Sequence, residues 1–112
     1  MKQIAIPVFE DRISNRLDCC ENLLLVSVEA GEIKKRDKIH LLQTDPFANL
    51  KTMIDLGVDV LICNGITDFY SQRLRENHIE VIPWISGEVE QVLALYVEKK
   101  LLTRRKINHG KT

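Results

Sequence analysis

Residues 57–65 read Gly57-Val58-Asp59-Val60-Leu61-Ile62-Cys63-Asn64-Gly65, and the fold class turns on them. The apolar run from Val58 to Cys63 is too short for a helix, and turn-forming residues bound it at both ends. That pattern fits a strand buried on both faces, as in a parallel sheet. Upstream, Thr44 or Asp45 can cap a helix, Pro46 suits its first position and Gly57 its end, with Phe47, Leu50 and Ile54 on one face. Downstream, Thr67 caps a second helix carrying Phe69, Tyr70 and Leu74, and Ile79–Pro83 supplies a last strand. Ser86 opens a third helix, with Val89, Val92, Leu93, Tyr96 and Val97 at spacings of three and four.

The N-terminal half has the period of strands. Ile4, Ile6 and Val8 alternate with Gln3, Ala5 and Pro7, giving a first strand over 2–9. Pro7 cannot donate to a ladder, so a bulge or an unpaired side is expected near that strand's end. Residues 10–21 are polar without a period and read as a long loop. Leu23–Val28 is a continuous apolar run suited to a central strand, and Glu29-Ala30-Gly31-Glu32 is a hairpin turn in which Gly31 can take positive φ. Ile33–Leu42 alternates with Lys34, Arg36 and Lys38, as an edge strand guarded by lysines does.

The order is therefore β-β-β-α-β-α-β-α, which predicts an α/β fold: a mixed five-stranded sheet with helices on its faces. Ligands of such sheets bind beyond the carboxyl ends of the strands, where the winding reverses. Here those ends lead into the loops after Phe9 and after Cys63.

Composition narrows the function. The 112 residues suit one core, with 45% hydrophobic and 29% charged residues, as in an ordinary globular domain. The three cysteines are an odd number in a chain that needs no staples, and they read as cytosolic thiols or metal ligands. The chain goes straight into an alternating apolar segment, so a leader peptide is not expected, and no apolar run approaches the ~20 residues of a membrane span. A cytoplasmic protein without membrane contact is the expectation. Residues 1–97 carry 10 Lys and Arg against 15 Asp and Glu, and residues 98–112 carry 6 against 1. An acidic body offers no electrostatic footprint for nucleic acid; the basic end (Lys99, Lys100, Arg104, Arg105, Lys106, Lys111) reads as solvated, and residues 102–112 as a tail beyond the domain.

Over residues 2–101 the sequence resembles the dinitrogenase iron–molybdenum cofactor biosynthesis family, which takes in NifX- and NifY-type proteins and the C-terminal domain of NifB. The resemblance is carried by the opening Ile4-Ala5-Ile6-Pro7-Val8, Ile13-Ser14, Gly31-Glu32-Ile33, Gly57 to Ile62, Asn64-Gly65-Ile66 and Ile79-Glu80-Val81. It implies a ribonuclease-H-like, three-layer α/β/α domain that binds or carries an iron–sulfur or iron–molybdenum cluster, or a precursor, without catalysing a reaction. It also implies a cofactor-assembly protein as partner and a monomer or weak homodimer. Two departures stand out. Arg16-Leu17-Asp18 replaces the family's usual His-Phe-Gly, and Asn64-Gly65-Ile66-Thr67 replaces its Gly-Gly-Ile-Gly.

In exchange, Cys19 and Cys20 lie in the first loop and Cys63 at the mouth of the second. Thiolates are the soft donors metal–sulfur clusters require, so Cys19, Cys20 and Cys63 are the candidate metal ligands. The competing reading makes Cys63 a buried small hydrophobe and Cys19-Cys20 loop packing or a redox-sensitive pair. Arg16 can contact an anionic cluster or a small anionic ligand, or pair with Asp18 or Glu21. Asn64, Gly65 and Thr67 form an anion-compatible turn before a helix, as many strand–helix turns do. His40, His78 and His109 have no ligand-spaced neighbours, and Trp84 and Tyr96 read as packing residues.

Enzyme signatures are missing: no glycine-rich phosphate loop, no Gly-x-Ser-x-Gly elbow, and no carboxylate inside the first strand for two-metal hydrolysis. Glu10, Asp11, Asp18 and Asp68 read as a solvated rim. The alternative to a cluster carrier is a ligand-free interaction domain that has lost the family's binding site.

Overall fold

The chain forms a mixed sheet in which the strands lie in the order Glu32–His40, Asn22–Glu29, Lys2–Phe9, Val60–Ile62 and Glu80–Ile82, flanked by helices on both faces. The structure, a computed structural model, describes residues 1–15, 17, 21–41 and 46–98, the side chains of Pro46 and Phe47 excepted. The elements in chain order are β1 (Lys2–Phe9), β2 (Arg12–Ile13), β3 (Asn22–Glu29), β4 (Glu32–His40), α1 (Pro46–Asp55), β5 (Val60–Ile62), α2 (Asp68–Glu76), β6 (Glu80–Ile82) and α3 (Val89–Val97). Thr44, Asp45 and the basic end fall outside the described residues, as do Arg16, Cys19 and Cys20.

Five strands were expected and six are found. The extra one, β2, lies in the segment read as loop, where Val8 pairs with Ile13 and Phe9 with Arg12. Two residues are too few to show a period, but Ile13 is buried and seals the sheet there. Pro7 pairs with Leu23 across the β1–β3 ladder, while its carbonyl accepts from Ser14 N at 2.8 Å on the other side. Its missing N–H thus faces the side on which β1 leaves β5, paired only through Ile4 and Ala5, for the β2 hairpin. The unpaired group falls at the switch in pairing and costs no ladder bond.

Alternation along the strands divides the core between the faces. Ala5, Leu23, Leu61, Cys63 and Val81 pack with Leu50 and Met53 of α1 and Tyr70 and Leu74 of α2. Ile4, Ile6, Val26, Val60, Ile62 and Ile82 pack with Val89, Val92 and Leu93 of α3. The result is the expected three-layer sandwich, two helices on one face and one on the other. Both edges resist further pairing. β4 carries Lys34, Lys35, Arg36 and Lys38, and β6 is three residues long with Pro83 directly after it.

Some helix faces differ from the sequence reading. Ile54 is 39% exposed and Phe69 58%, while the buried positions are Asn49, Leu50 and Met53 in α1 and Tyr70, Ser71 and Leu74 in α2. Docking turned each helix by about one residue, a shift that apolar spacing alone does not resolve. α3 begins at Val89 rather than Ser86, because Ile13 N bonds Gly87 O at 3.0 Å and Val89 N bonds Asp11 O at 2.9 Å. Tied to the β2 hairpin, residues 86–88 stay out of the helix, with Gly87 at φ 113.

Helix ends and turns are built with positive φ. Gly57 (φ 71) closes α1 in a Schellman motif, with Val58 N on Met53 O at 3.2 Å and Gly57 N on Ile54 O at 3.1 Å. The same motif closes α2, with Ile79 N on Leu74 O and His78 N on Arg75 O, both at 3.0 Å, but the left-handed position is His78 (φ 64). A side chain there costs about 1–2 kcal/mol. Glycine also frees the unfolded chain, which offsets about 0.4–1 kcal/mol. His78→Gly is therefore expected to raise the unfolding free energy by about 0.5–1 kcal/mol in urea titration.

Candidate functional site

β1, β4, β5 and β6 run parallel to one another, so the segments after Phe9, His40, Ile62 and Ile82 emerge at one end of the sheet. The N-termini of all three helices lie at that end too, each presenting backbone N–H groups.

Backbone bonds lace these segments together. Gly65 N donates to Asn15 O at 2.9 Å, and Leu17 N donates to Gly65 O at 3.3 Å. The loops expected to share a site therefore do meet, and Arg16 is the residue between the two bonded positions. Leu17 is 2% exposed and packs in the same core cluster as Cys63. Cys19 and Cys20 follow Leu17 by two and three residues, within about 7–10 Å of extended chain.

The individual candidates take different places. Gly65 donates its N–H within the protein, so it clamps the loops rather than offering an amide to a ligand. Thr67 is the N-cap of α2, its Oγ1 accepting from Tyr70 N at 3.2 Å, as expected. Asn64 is half-buried at the mouth, and its carbonyl accepts from Trp84 N at 2.9 Å. Cys63 lies fully buried beneath them, its carbonyl accepting from Ile85 N at 2.9 Å. Burial pushes its thiol from the usual 9.0 up to about 12, so at neutral pH it is protonated and packs as an apolar group.

That burial has a pH signature. The folded pKa is raised, so the stabilising contribution is complete below about 9 and is lost as pH rises toward about 12. Across that window the wild type is expected to lose stability relative to Cys63→Ala by up to about 1.4 kcal/mol per pH unit. The difference between variants is the quantity to measure, because burial and the nearby Glu80 and Asp59 also raise Tyr96. Alanine is the right replacement, since a serine hydroxyl in this apolar place costs about 1–3 kcal/mol.

The third wall escaped the sequence reading. Residues 83–88 complete the end through the Trp84–Asn64, Ile85–Cys63 and Gly87–Ile13 bonds and the bridge between Arg12 and Glu88. Trp84, expected to pack, is 71% exposed and holds φ 64. The rule that pointed to the ends of β1 and β5 applies equally to β6.

The rim is acidic. Glu10, Asp11, Asp68 and Glu88 are all exposed there, with Arg12 among them. Among the described residues no three His, Cys, Asp or Glu side chains converge to hold a metal ion. On the α3 side a cleft of about 340 Å³ opens over Val8, Leu24 and Val89, walled by Glu10, Asp11 and Lys38. Asn49, 3% exposed in the first turn of α1, has a side-chain nitrogen without an acceptor among the described residues. No helix among the described residues is long and apolar enough to cross a membrane.

Residues 1–99 match the family model described as dinitrogenase iron–molybdenum cofactor. The uncharacterized protein MJ0580 of Methanocaldococcus jannaschii is 24% identical over 106 residues, covering 90% of each chain. The crystal structure of PH0822 superposes with a TM-score of 0.82 at 17% identity, covering 88% of this chain and 92% of that one. The apo form of the orange protein from Desulfovibrio gigas superposes with a TM-score of 0.72 at 16% identity, covering 89% and 90%. At these identities the solved structures establish likeness of fold.

Proposed function

The chain belongs to the dinitrogenase iron–molybdenum cofactor family, and from that premise we propose that it binds and carries a metal–sulfur cluster or cofactor precursor without transforming it. The cargo sits at the carboxyl end of the sheet, between the loops bonded through Asn15, Leu17 and Gly65. The observation that supports this reading is that lacing, in which Asn15 and Leu17, the chain neighbours of Arg16, bond Gly65 of the Asn64–Thr67 turn.

The balance of forces selects the kind of cargo. Four carboxylates around the mouth repel a free anion, and the helix N-termini offset this by only about 0.3–1 kcal/mol each. Affinity therefore comes from metal–thiolate bonds, with Cys19 and Cys20 as donors. Cys63 becomes a third donor only where a metal displaces its proton; otherwise it floors the site. Arg16, Asn64 and Thr67 give polar support at the mouth. A cofactor-assembly protein is the partner that would deliver or receive such cargo.

Anaerobic reconstitution with ferrous iron and sulfide, or with tetrathiomolybdate, tests this. Metal co-eluting with the protein at near-stoichiometric ratio is the expected result, and metal-free protein after desalting would refute it. A second reading, an interaction domain without cargo, is favoured by the lack of a converging metal-ligand group among the described residues. On that reading neither probe is retained.

A further inference from the structure

Trp84 costs the fold twice. It holds a left-handed backbone (φ 64) that side chains occupy only with strain, and it leaves an indole 71% exposed instead of packed. Neither cost is a matter of local freedom. The backbone is fixed on both sides, Trp84 N to Asn64 O and Ile85 N to Cys63 O, each at 2.9 Å. The β6 exit is thus stitched to the Asn64–Gly65 turn, and the strained residue stands at the mouth of the proposed site. A single exposed aromatic is ordinary, but one held in strained backbone at such a place marks a residue positioned for contact.

The geometry points to Trp84 as a contact residue for the carried cargo, covering the metal–sulfide group from the β6 side. This rests on the carrier reading and adds a residue to it. The indole suits this cargo: its ring face excludes water from metal–thiolate bonds, and its single N–H is a donor for a sulfide ligand. A carboxylate or a lysine there would do neither. The acidic rim cannot hold the cargo by charge, so cover and soft bonding have to supply its retention.

Trp84 is the chain's only tryptophan, which makes it its own reporter. Acrylamide quenching by collision reads access to the indole directly. On loading with tetrathiomolybdate the quenching constant is expected to fall severalfold. Transfer of the metal to an external chelator is expected to run roughly tenfold faster from Trp84→Gly than from wild type, with Trp84→Phe, which keeps the ring face but lacks the N–H, in between. Trp84→Gly should also melt higher when empty, because its strain is relieved. Stoichiometric loading with unchanged acrylamide access and unchanged transfer from Trp84→Gly would overturn the contact while leaving the carrier reading intact. A lower melting temperature for empty Trp84→Gly would make the indole structural and overturn it too. Failure of the wild type to take up either probe would remove the carrier reading and this inference with it.

Discussion

The Cys19→Ser/Cys20→Ser variant is expected to purify folded and to retain almost no metal after desalting. A hydroxyl is a hard, weakly acidic donor and does not replace thiolate toward iron or molybdenum in a sulfide environment. A thiol and a hydroxyl differ little in size, and the far-ultraviolet spectrum of the variant is expected to match that of the wild type. The two effects are therefore separable, as they would not be at Cys63. That side chain is fully buried, and Cys63→Ser would lose stability and uptake together. Cys63→Ala keeps the apolar surroundings. With it, retained uptake identifies the floor, and lost uptake with an unchanged far-ultraviolet spectrum identifies a third donor.

The largest loss of stability is expected from Leu61→Ala, about 3–4 kcal/mol by denaturant titration. Leu61 is 0% exposed on β5, the three-residue strand between β1 and β6, and it packs in the cluster that α1 and α2 cover. The neighbouring elements hold a cavity there open, because β5 is paired on both sides and cannot collapse inward. Against a total of about 5–15 kcal/mol, that leaves a marginal protein. Ile54→Ala is the control. Its side chain is 39% exposed, and it should cost less than about 1 kcal/mol although apolar spacing placed it on the buried face.

That contrast shows what the sequence made legible. Short apolar strands such as Val60–Ile62, the Gly57 and Thr67 helix boundaries, and the lysine-bearing edge could be read because each depends on local chemistry. The family resemblance was legible in the spacing of the same strands. What could not be read depends on tertiary pairing. β2 exists because its two residues find Val8 and Phe9, and α3 starts late because Gly87 and Val89 bond the hairpin. The same holds at the site. That Asn15 and Leu17 would clamp Gly65 follows from the register of loops, which no residue pattern reports. Trp84 was assigned to packing because aromatic residues usually pack, and only the bonded exit of β6 shows it turned outward. Cys63 was legible both ways, as ligand or as small hydrophobe. Its complete burial supplies the physical reason to assign first-choice ligation to the loop cysteines.

The central claim is that the chain carries a metal–sulfur cargo. Its most direct test is the metal and acid-labile sulfide content of protein purified without oxygen, with the visible absorption spectrum on the same sample. Near-stoichiometric iron or molybdenum, with sulfide and visible absorption that disappears in Cys19→Ser/Cys20→Ser, is the expected result. Colourless protein without metal or sulfide, which also fails to retain either on reconstitution, would contradict the claim and leave the reading of an interaction domain.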